Sequence, residues 1–181
     1  RSEERIRVNT ATVQVSQRRN PPNWAVQQRA LIDTMNRAAV PFVKHATRPD
    51  GTLIQRSVWT SMDGTDNGYE AFLSFSLFYI LGGNEFIHQT ARKEWDAITW
   101  QYANHGTVDR EFVTGFDWFH HSESYTYIYY LAMANPEHFI DRTRALRYAA
   151  MYMGEDPLAP NWDADKRMIR GPLNGSHGPR H

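Results

Sequence analysis

The chain has 181 residues, of which 41% are hydrophobic and 13% aromatic, so it is long and apolar enough for one globular domain and is not a disordered segment. Twenty basic residues balance twenty acidic ones, which leaves no basic field for a nucleic-acid backbone or an anionic membrane. Cysteine is absent, which excludes disulfides, thiolate catalysis and cysteine-ligated metals.

The first part of the chain predicts an arm followed by a helix. Residues 1–20 are polar with scattered valines and no helical period, which indicates an extended N-terminal arm. Two prolines then open a helix over residues 24–45, and Pro41 is expected to kink it. Its predicted apolar stripe consists of Trp24, Leu31, Ile32, Met35, Ala38 and Ala39. Residues 47–67 are rich in turn formers and leave room for a short strand at Thr52–Trp59.

Two helices of different character follow. Residues 69–81 are apolar nearly all round, which is typical of a helix buried on most sides. Gly82-Gly83 is predicted to end this helix and Asn84 to cap the next one, over residues 85–102. That second helix is amphipathic. Its predicted buried face is Ile87, Ala91, Trp95, Ile98 and Tyr102, and its predicted water-facing residues are Arg92, Lys93 and Glu94.

The same order of elements then returns. After a loop, a second aromatic-rich helix is predicted over residues 122–133 and a second amphipathic helix over residues 136–153. A shift of 53 residues places Glu70 on Glu123, Phe72 on Tyr125, Phe75 on Ile128, Phe78 on Leu131 and Trp95 on Tyr148. A repeat of this length indicates an array of αα-hairpins, in which each unit leaves a face that only its neighbours cover.

Three segments give this pattern a more specific likeness: "WTSMDGTDNGYEAF", "LGGNEFIHQTARKEWDAI" and "GFDWFHHSESY". With them the chain resembles, over residues 22–177, the (α/α)6 toroids of glycoside hydrolases and polysaccharide lyases. The resemblance implies an all-α fold of repeated αα-hairpins, with an inner ring of buried helices and an outer ring of amphipathic ones. Residues 21–181 hold two and a half hairpins of such a ring. We therefore expect further polypeptide after His181, or a companion chain; a small complete bundle is the alternative.

Polar residues crowd the segments immediately before the two apolar helices. Since inner helices of a toroid run parallel, these segments should meet at one mouth of the ring, where loops on a rigid scaffold carry function. For a hydrolase, two carboxylates would flank the scissile bond. The candidates are Asp63 and Asp66 from one segment and Asp117 and Glu123 from the other. Glu123 also has a simpler explanation, because the first turn of a helix favours a carboxylate.

A polysaccharide lyase would use other residues of the same segments. His120 or His121, together with Tyr125, would abstract the proton beside a uronate carboxylate and protonate the leaving oxygen. Arginines would neutralise that carboxylate, and the candidates are Arg110, Arg167 and Arg170.

Further residues are expected to hold the sugar. Trp59 and Trp118, on predicted loops, are candidates for stacking on a sugar ring, and Asn67 and His177 for polar contacts. The segment "DGTDNG" resembles the start of a calcium loop, with Asp63, Thr65 and Asn67 as ligands, but its twelfth position is Ser74 where glutamate would be required. No metal or other cofactor is expected. His88, Trp100 and His138 fall on the predicted outer helices and are assigned structural roles.

The sequence therefore favours an enzyme that hydrolyses glycosidic bonds in a uronate-containing polysaccharide or oligosaccharide, with paired carboxylates. The lyase is the first alternative. A non-catalytic helical scaffold that binds a glycan or a protein through exposed aromatic residues is the second. Neither nucleic acid nor a membrane is an expected partner, and a periplasmic or secreted location is slightly favoured.

Overall fold

The structure is a computed structural model that describes residues 19–54, 66–105, 108–109, 112–113, 118–153, 162–163 and 165–169. Five helices dominate these ranges and make the fold all-α, as the sequence predicts. Two antiparallel pairs of two-residue strands accompany them. Val108–Asp109 (β1) pairs with Phe112–Val113 (β2), and Trp162–Asp163 (β3) pairs with Met168–Ile169 (β4). Residues 1–18 of the predicted arm, which spans residues 1–20, and the segment 55–65 lie outside the described residues.

The first helix, α1, spans Asn23–Ala46 and continues past Pro41. It packs on the rest of the protein through its C-terminal half, where the Phe42 ring lies 5.6 Å from that of Phe72. The predicted apolar stripe is therefore mostly wrong as a buried face: only Ala39 is buried, while Trp24 and Met35 are exposed. The apolar residues do lie on one face of α1, but α2 packs against only the C-terminal part of that helix.

The second and third helices, α2 (Asp66–Ile80) and α3 (Glu85–His105), form a tight hairpin. The N–H of Gly83 donates to the carbonyl of Phe78, and that of Gly82 to the carbonyl of Tyr79, which is the Schellman ending of a helix. Gly82 takes a φ of +116°, which favours glycine. Asn84 then accepts the N–H of Ile87 on its side-chain oxygen. The predicted turn is confirmed in detail.

The second hairpin consists of α4 (Trp118–Ala134) and α5 (Phe139–Met153). α5 begins three residues later than predicted, because Asn135 to His138 form a turn closed by the His138 N–H donating to the Asn135 carbonyl. α4 begins four residues earlier than predicted, and α2 three residues earlier. Polar residues before the apolar run carry no helical period, so nothing in their pattern indicates that the helices extend into them.

The helix directions follow from side-chain contacts. Within the first hairpin, Tyr69 contacts Tyr102 and Tyr79 stacks on His88, so α2 and α3 are antiparallel. α4 and α5 are likewise antiparallel, since they are joined by a short turn.

Between the hairpins, Arg92 binds Asp141 and Asp96 binds Arg144, so α3 and α5 advance in the same direction. It follows that α2 and α4, which pack directly on each other, are also parallel and begin at the same end of the protein.

The core lies where α2, α3 and α4 meet and is built mainly of aromatic rings. The Trp95 ring stacks on Tyr69 at 4.7 Å and meets Tyr125 and Tyr127 edge-on at 5.8 and 5.4 Å. Every residue of the predicted α3 face is buried, which confirms that prediction. The repeat positions Phe72 and Tyr125 are both fully buried, as are Trp95 and, nearly, Tyr148.

Large apolar side chains remain exposed at the two flanks of the array. On α1 they are Trp24, Val26, Leu31, Met35, Val40 and Phe42, and on α5 they are Phe139, Ile140, Leu146 and Met153. α2 and α4 expose fewer large apolar side chains, which are Ile80 on α2 and Tyr129 and Met133 on α4. The hairpins of the described ranges do not close into a ring.

Candidate functional site

The structure gives backbone positions for six of the residues that the sequence singles out. Asp66 and Asn67 form the first turn of α2, and Trp118, His120, His121 and Glu123 lie in the first two turns of α4. Because the two helices are parallel, both sets lie at the same end of the protein. The backbone at Trp118, His120 and His121 is helical and not a loop as predicted.

Seven further candidates lie outside the described residues: Trp59, Asp63, Thr65, Arg110, Asp117, Arg170 and His177. The predicted calcium ligands Asp63 and Thr65 are among them. Arg167 is described and lies in the turn between β3 and β4, where it is exposed and takes a φ of +52°.

Tyr125 does not reach the end of the array. Its side chain is fully buried, within 5.8 Å of the Tyr69 and Trp95 rings and 5.0 Å of the Tyr148 ring. The expectation that Tyr125 lies at the mouth is therefore corrected: its ring packs among rings of α2, α3 and α5. In this position Tyr125 is part of the hydrophobic core.

An open cleft of about 450 Å³ lies along the outer side of α3, and we call it the α3 cleft. Six residues line it: Asp50, Thr52, Lys93, Asp96, Ala97 and Trp100. The first two come from the loop after α1, which is fastened to α3 by the Gln101 side chain at both the N–H and the carbonyl of Leu53. Trp100 leaves 62% of its surface exposed, so its indole is a wall of the cleft and not a core residue.

Asp50 is held in a fixed, ionised state at one edge of this cleft. The backbone N–H and the hydroxyl of Thr52 donate to Asp50 Oδ1 at 2.9 and 2.7 Å. These two hydrogen bonds hold the pKa of Asp50 below its ordinary value. On the opposite side, the Arg144 guanidinium donates to Asp96 Oδ1 at 2.6 Å.

Glu94 is a buried carboxyl beside the same cleft, although the sequence places it on the water-facing side of α3. It is fully buried, and neither of its oxygens has a hydrogen-bond partner among the residues described. The loop after α1 covers it: a Cβ added to Gly51 would lie 3.3 Å from Glu94 Oε2, and 2.8 Å from Ala97 Cβ. Burial raises the pKa of Glu94 to about 7, while the charge of Lys93 acts to lower it.

Of these two carboxyls, Asp50 is ionised at neutral pH, whereas Glu94, with a pKa of about 7, is about half protonated. Sequence reasoning missed both of them and assigned Trp100 a structural role. The sequence contains only weak indications that these two carboxyls are special. Glu94 directly precedes the buried Trp95, and "RPDGT" marks a tight turn, but nothing local indicates that this turn packs over α3.

His88 and His138 belong to a polar network inside the array. The Arg92 guanidinium can only donate, so His88 Nε2 accepts from it at 3.0 Å and His88 Nδ1–H donates to Ser76 Oγ at 3.3 Å. In this tautomer His88 cannot act as a base toward Ser76, and Ser76 is itself fully buried. Burial, and then the Arg92 charge, lower the pKa of His88. The network joins α2, α3 and α5 and is structural, in line with the sequence assignment.

Within the described ranges, no group of three or more histidine, aspartate and glutamate side chains has the spacing of a metal site. Nor is any helix in those ranges both long and apolar enough to cross a membrane.

The fold is thus an all-α array of αα-hairpins with a polar cleft on one of its helices. The chain belongs to a family described as a domain of unknown function, DUF8034, whose model matches residues 10–181. No curated protein and no solved structure matches the chain.

Proposed function

We propose that this protein hydrolyses glycosidic bonds in a uronate-containing polysaccharide or oligosaccharide, at the end of the array where α2 and α4 begin. The observation that supports the proposal is the parallel course of these two helices. It brings the N-terminal ends of the two helices, with Asp66 on α2 and Glu123 on α4, to the same end of the array. We further propose that the hairpins are part of an (α/α)6-type toroid, which the parallel packing of successive hairpins suits.

The catalytic assignment follows from which residues lie at that end. Asp66 begins α2 and Glu123 lies in the second turn of α4, and Asp63 and Asp117 directly precede the two helices. One carboxyl would protonate the leaving oxygen, and the other would act as base or nucleophile. The partial positive charge at two helix N-termini favours the carboxylate of a uronate at the same place.

The lyase alternative uses His120 or His121 with a tyrosine. It is less well supported, because Tyr125 is buried in the core and no longer qualifies as the tyrosine that touches the substrate. The two reactions leave different products. A lyase leaves a conjugated double bond that absorbs in the ultraviolet, whereas hydrolysis releases reducing ends without that absorbance.

The test is an assay of the full chain on uronate-containing polysaccharides, with reducing ends and ultraviolet absorbance measured together. We expect reducing ends without absorbance, and a loss of about a hundredfold or more in the Asp66→Asn, Asp117→Asn or Glu123→Gln variants. Glu137→Gln is the matched control, since Glu137 is exposed in the turn at the opposite end of α4. Activity that is unchanged in all three variants would overturn the site. Glycan binding without any turnover would favour the non-catalytic scaffold.

A further inference from the structure

We propose that the α3 cleft is a glycan-binding site for a neutral sugar residue, separate from the end where α2 and α4 begin. No residue of the cleft belongs to the proposed catalytic set. The inference therefore goes beyond the proposed function and does not depend on it.

The first argument is the shape and composition of the cleft. Ligand sites combine an apolar surface with a few polar groups that are fixed in place. Here the apolar surface is the exposed indole of Trp100 with Ala97 beside it, which suits the C–H face of a pyranose ring. Trp95 and Tyr102 of the same helix are fully buried, whereas the exposed indole of Trp100 is not required by the core.

The second argument is that the polar groups are already held in position. Asp50 is fixed by Thr52, Asp96 by Arg144, and the Lys93 ammonium donates to the Pro49 carbonyl at 2.9 Å. Each carboxylate has about four lone-pair positions and has used only part of them in these contacts, so it can still accept from a sugar hydroxyl. Such preorganised groups lower the entropic cost of binding.

The third argument is the charge balance, which selects a neutral ligand. The carboxylates Asp50 and Asp96 and the partly ionised Glu94 are balanced by three cations at or beside the cleft, which are Lys93, Arg144 and Arg48. A metal ion or an amine would need a surplus of negative charge, and an oligoanion would need a surplus of positive charge. Neither surplus is present, whereas a polyol needs only donors and acceptors.

The fourth argument is the buried Glu94 carboxyl. Both of its oxygens lack a partner in the described part of the chain, and this is costly for a polar group removed from water. The carboxyl packs against Gly51, whose side facing α3 also meets Lys93 and Ala97, and both of these residues line the cleft. A small shift of the loop on binding would let a sugar hydroxyl pair with Glu94, which turns an unfavourable feature of the free protein into a contact.

The experiment is a titration of the full chain, followed by the indole N–H signals of its tryptophans in ¹H–¹⁵N spectra. The probes are cellohexaose, mannohexaose and xylohexaose, with trigalacturonate as the charged comparison. We expect at least one neutral oligosaccharide to shift the Trp100 signal to saturation, and Trp100→Ala or Asp50→Asn to weaken its binding at least about tenfold. Trp24→Ala is the matched control, because Trp24 is 67% exposed at the start of α1 and does not line the cleft.

Three results would overturn the proposal: no neutral probe shifts the Trp100 signal, only trigalacturonate does so, or Trp24→Ala weakens binding as much as Trp100→Ala. Trp100 and Asp50 are exposed, so a far-ultraviolet circular dichroism spectrum should show that both variants fold. Binding is measured without turnover and should persist in Asp66→Asn. Failure of this proposal and failure of the proposed hydrolase are therefore separate outcomes.

Discussion

Arg92 on α3 and Asp141 on α5 form an ion pair of 3.0 Å whose carboxylate is fully buried. The same carboxylate lies 2.8 Å from Nδ1 of His138, in the turn before α5. Together with the Asp96–Arg144 pair, this contact keeps the two hairpins parallel and in register. The parallel course of α3 and α5 that these pairs accompany matches the parallel course of α2 and α4, where the proposed active site lies.

We therefore expect Asp141→Ala to destabilise the protein by about 3–5 kcal/mol, because it leaves Arg92 without its buried partner. Asp96→Ala is the control: it removes a similar pair whose carboxylate is exposed, and should cost about 1 kcal/mol or less. Urea unfolding of both variants measures the difference. An equal loss of unfolding free energy in the two variants would show that the buried Arg92–Asp141 pair contributes no more than the exposed pair.

The buried Glu94 should make stability depend on pH. Its pKa is raised from 4.5 to about 7, so the folded protein holds a proton that the unfolded chain has released. The contribution of Glu94 is thus fully present below pH 4.5 and is lost as the pH rises to about 7, with a slope of at most about 1.4 kcal/mol per pH unit.

Glu94→Gln should abolish this decline, since the amide does not ionise. Unfolding free energies of the wild type and the variant, measured from pH 4.5 to 8, should converge at the acid end and separate toward pH 7 in favour of the variant. Glu137→Gln, at an exposed site, should reproduce the wild-type profile. A wild-type profile parallel to that of Glu94→Gln would show that the carboxyl is not buried in solution.

His88 should be neutral and protonated on Nδ1, because Arg92 occupies Nε2 as a donor. Its lowered pKa means that its stabilising contribution is complete above about pH 6.5 and is lost as the pH falls below that value. Long-range ¹H–¹⁵N spectra at pH 7.5 report the tautomer directly. Observation of the Nε2–H form would refute the hydrogen-bond direction given above, and Ser76→Ala should leave the tautomer unchanged, since Arg92 alone determines it.

Replacement of Gly51 should destabilise the folded protein. It has a φ of +93°, and a Cβ there would meet Ala97 Cβ at 2.8 Å, so Gly51→Ala combines backbone strain with a clash against α3. We expect a loss of about 2 kcal/mol or more. Gly82→Ala has a comparable φ of +116°, but its Cβ would lie 3.4 Å from Ile32 Cδ1, which is ordinary contact. Gly82→Ala should cost about 1 kcal/mol in thermal or urea unfolding, and a larger cost than that of Gly51→Ala would contradict the clash.

The amino-acid sequence by itself determined the helices, the Gly82–Asn84 turn and the buried face of α3. Each of these depends on information within a few residues: a period of 3.6, a glycine that takes positive φ, or a side chain that caps the next helix. The repeat also came from the sequence, because both copies must bury the same positions, as Phe72 and Tyr125 do.

Only the tertiary structure decided which helix faces are covered and which polar groups meet. Glu94 is buried because the loop at Gly51 packs over it, and Arg92 meets Asp141 from 49 residues away; neither contact leaves a periodic trace in the sequence. The apolar stripe of α1 shows the converse, since its pattern is clear but most of it remains exposed. Periodicity fixes which residues share a face of one helix, whereas burial and pairing depend on the neighbour that arrives there from elsewhere in the chain.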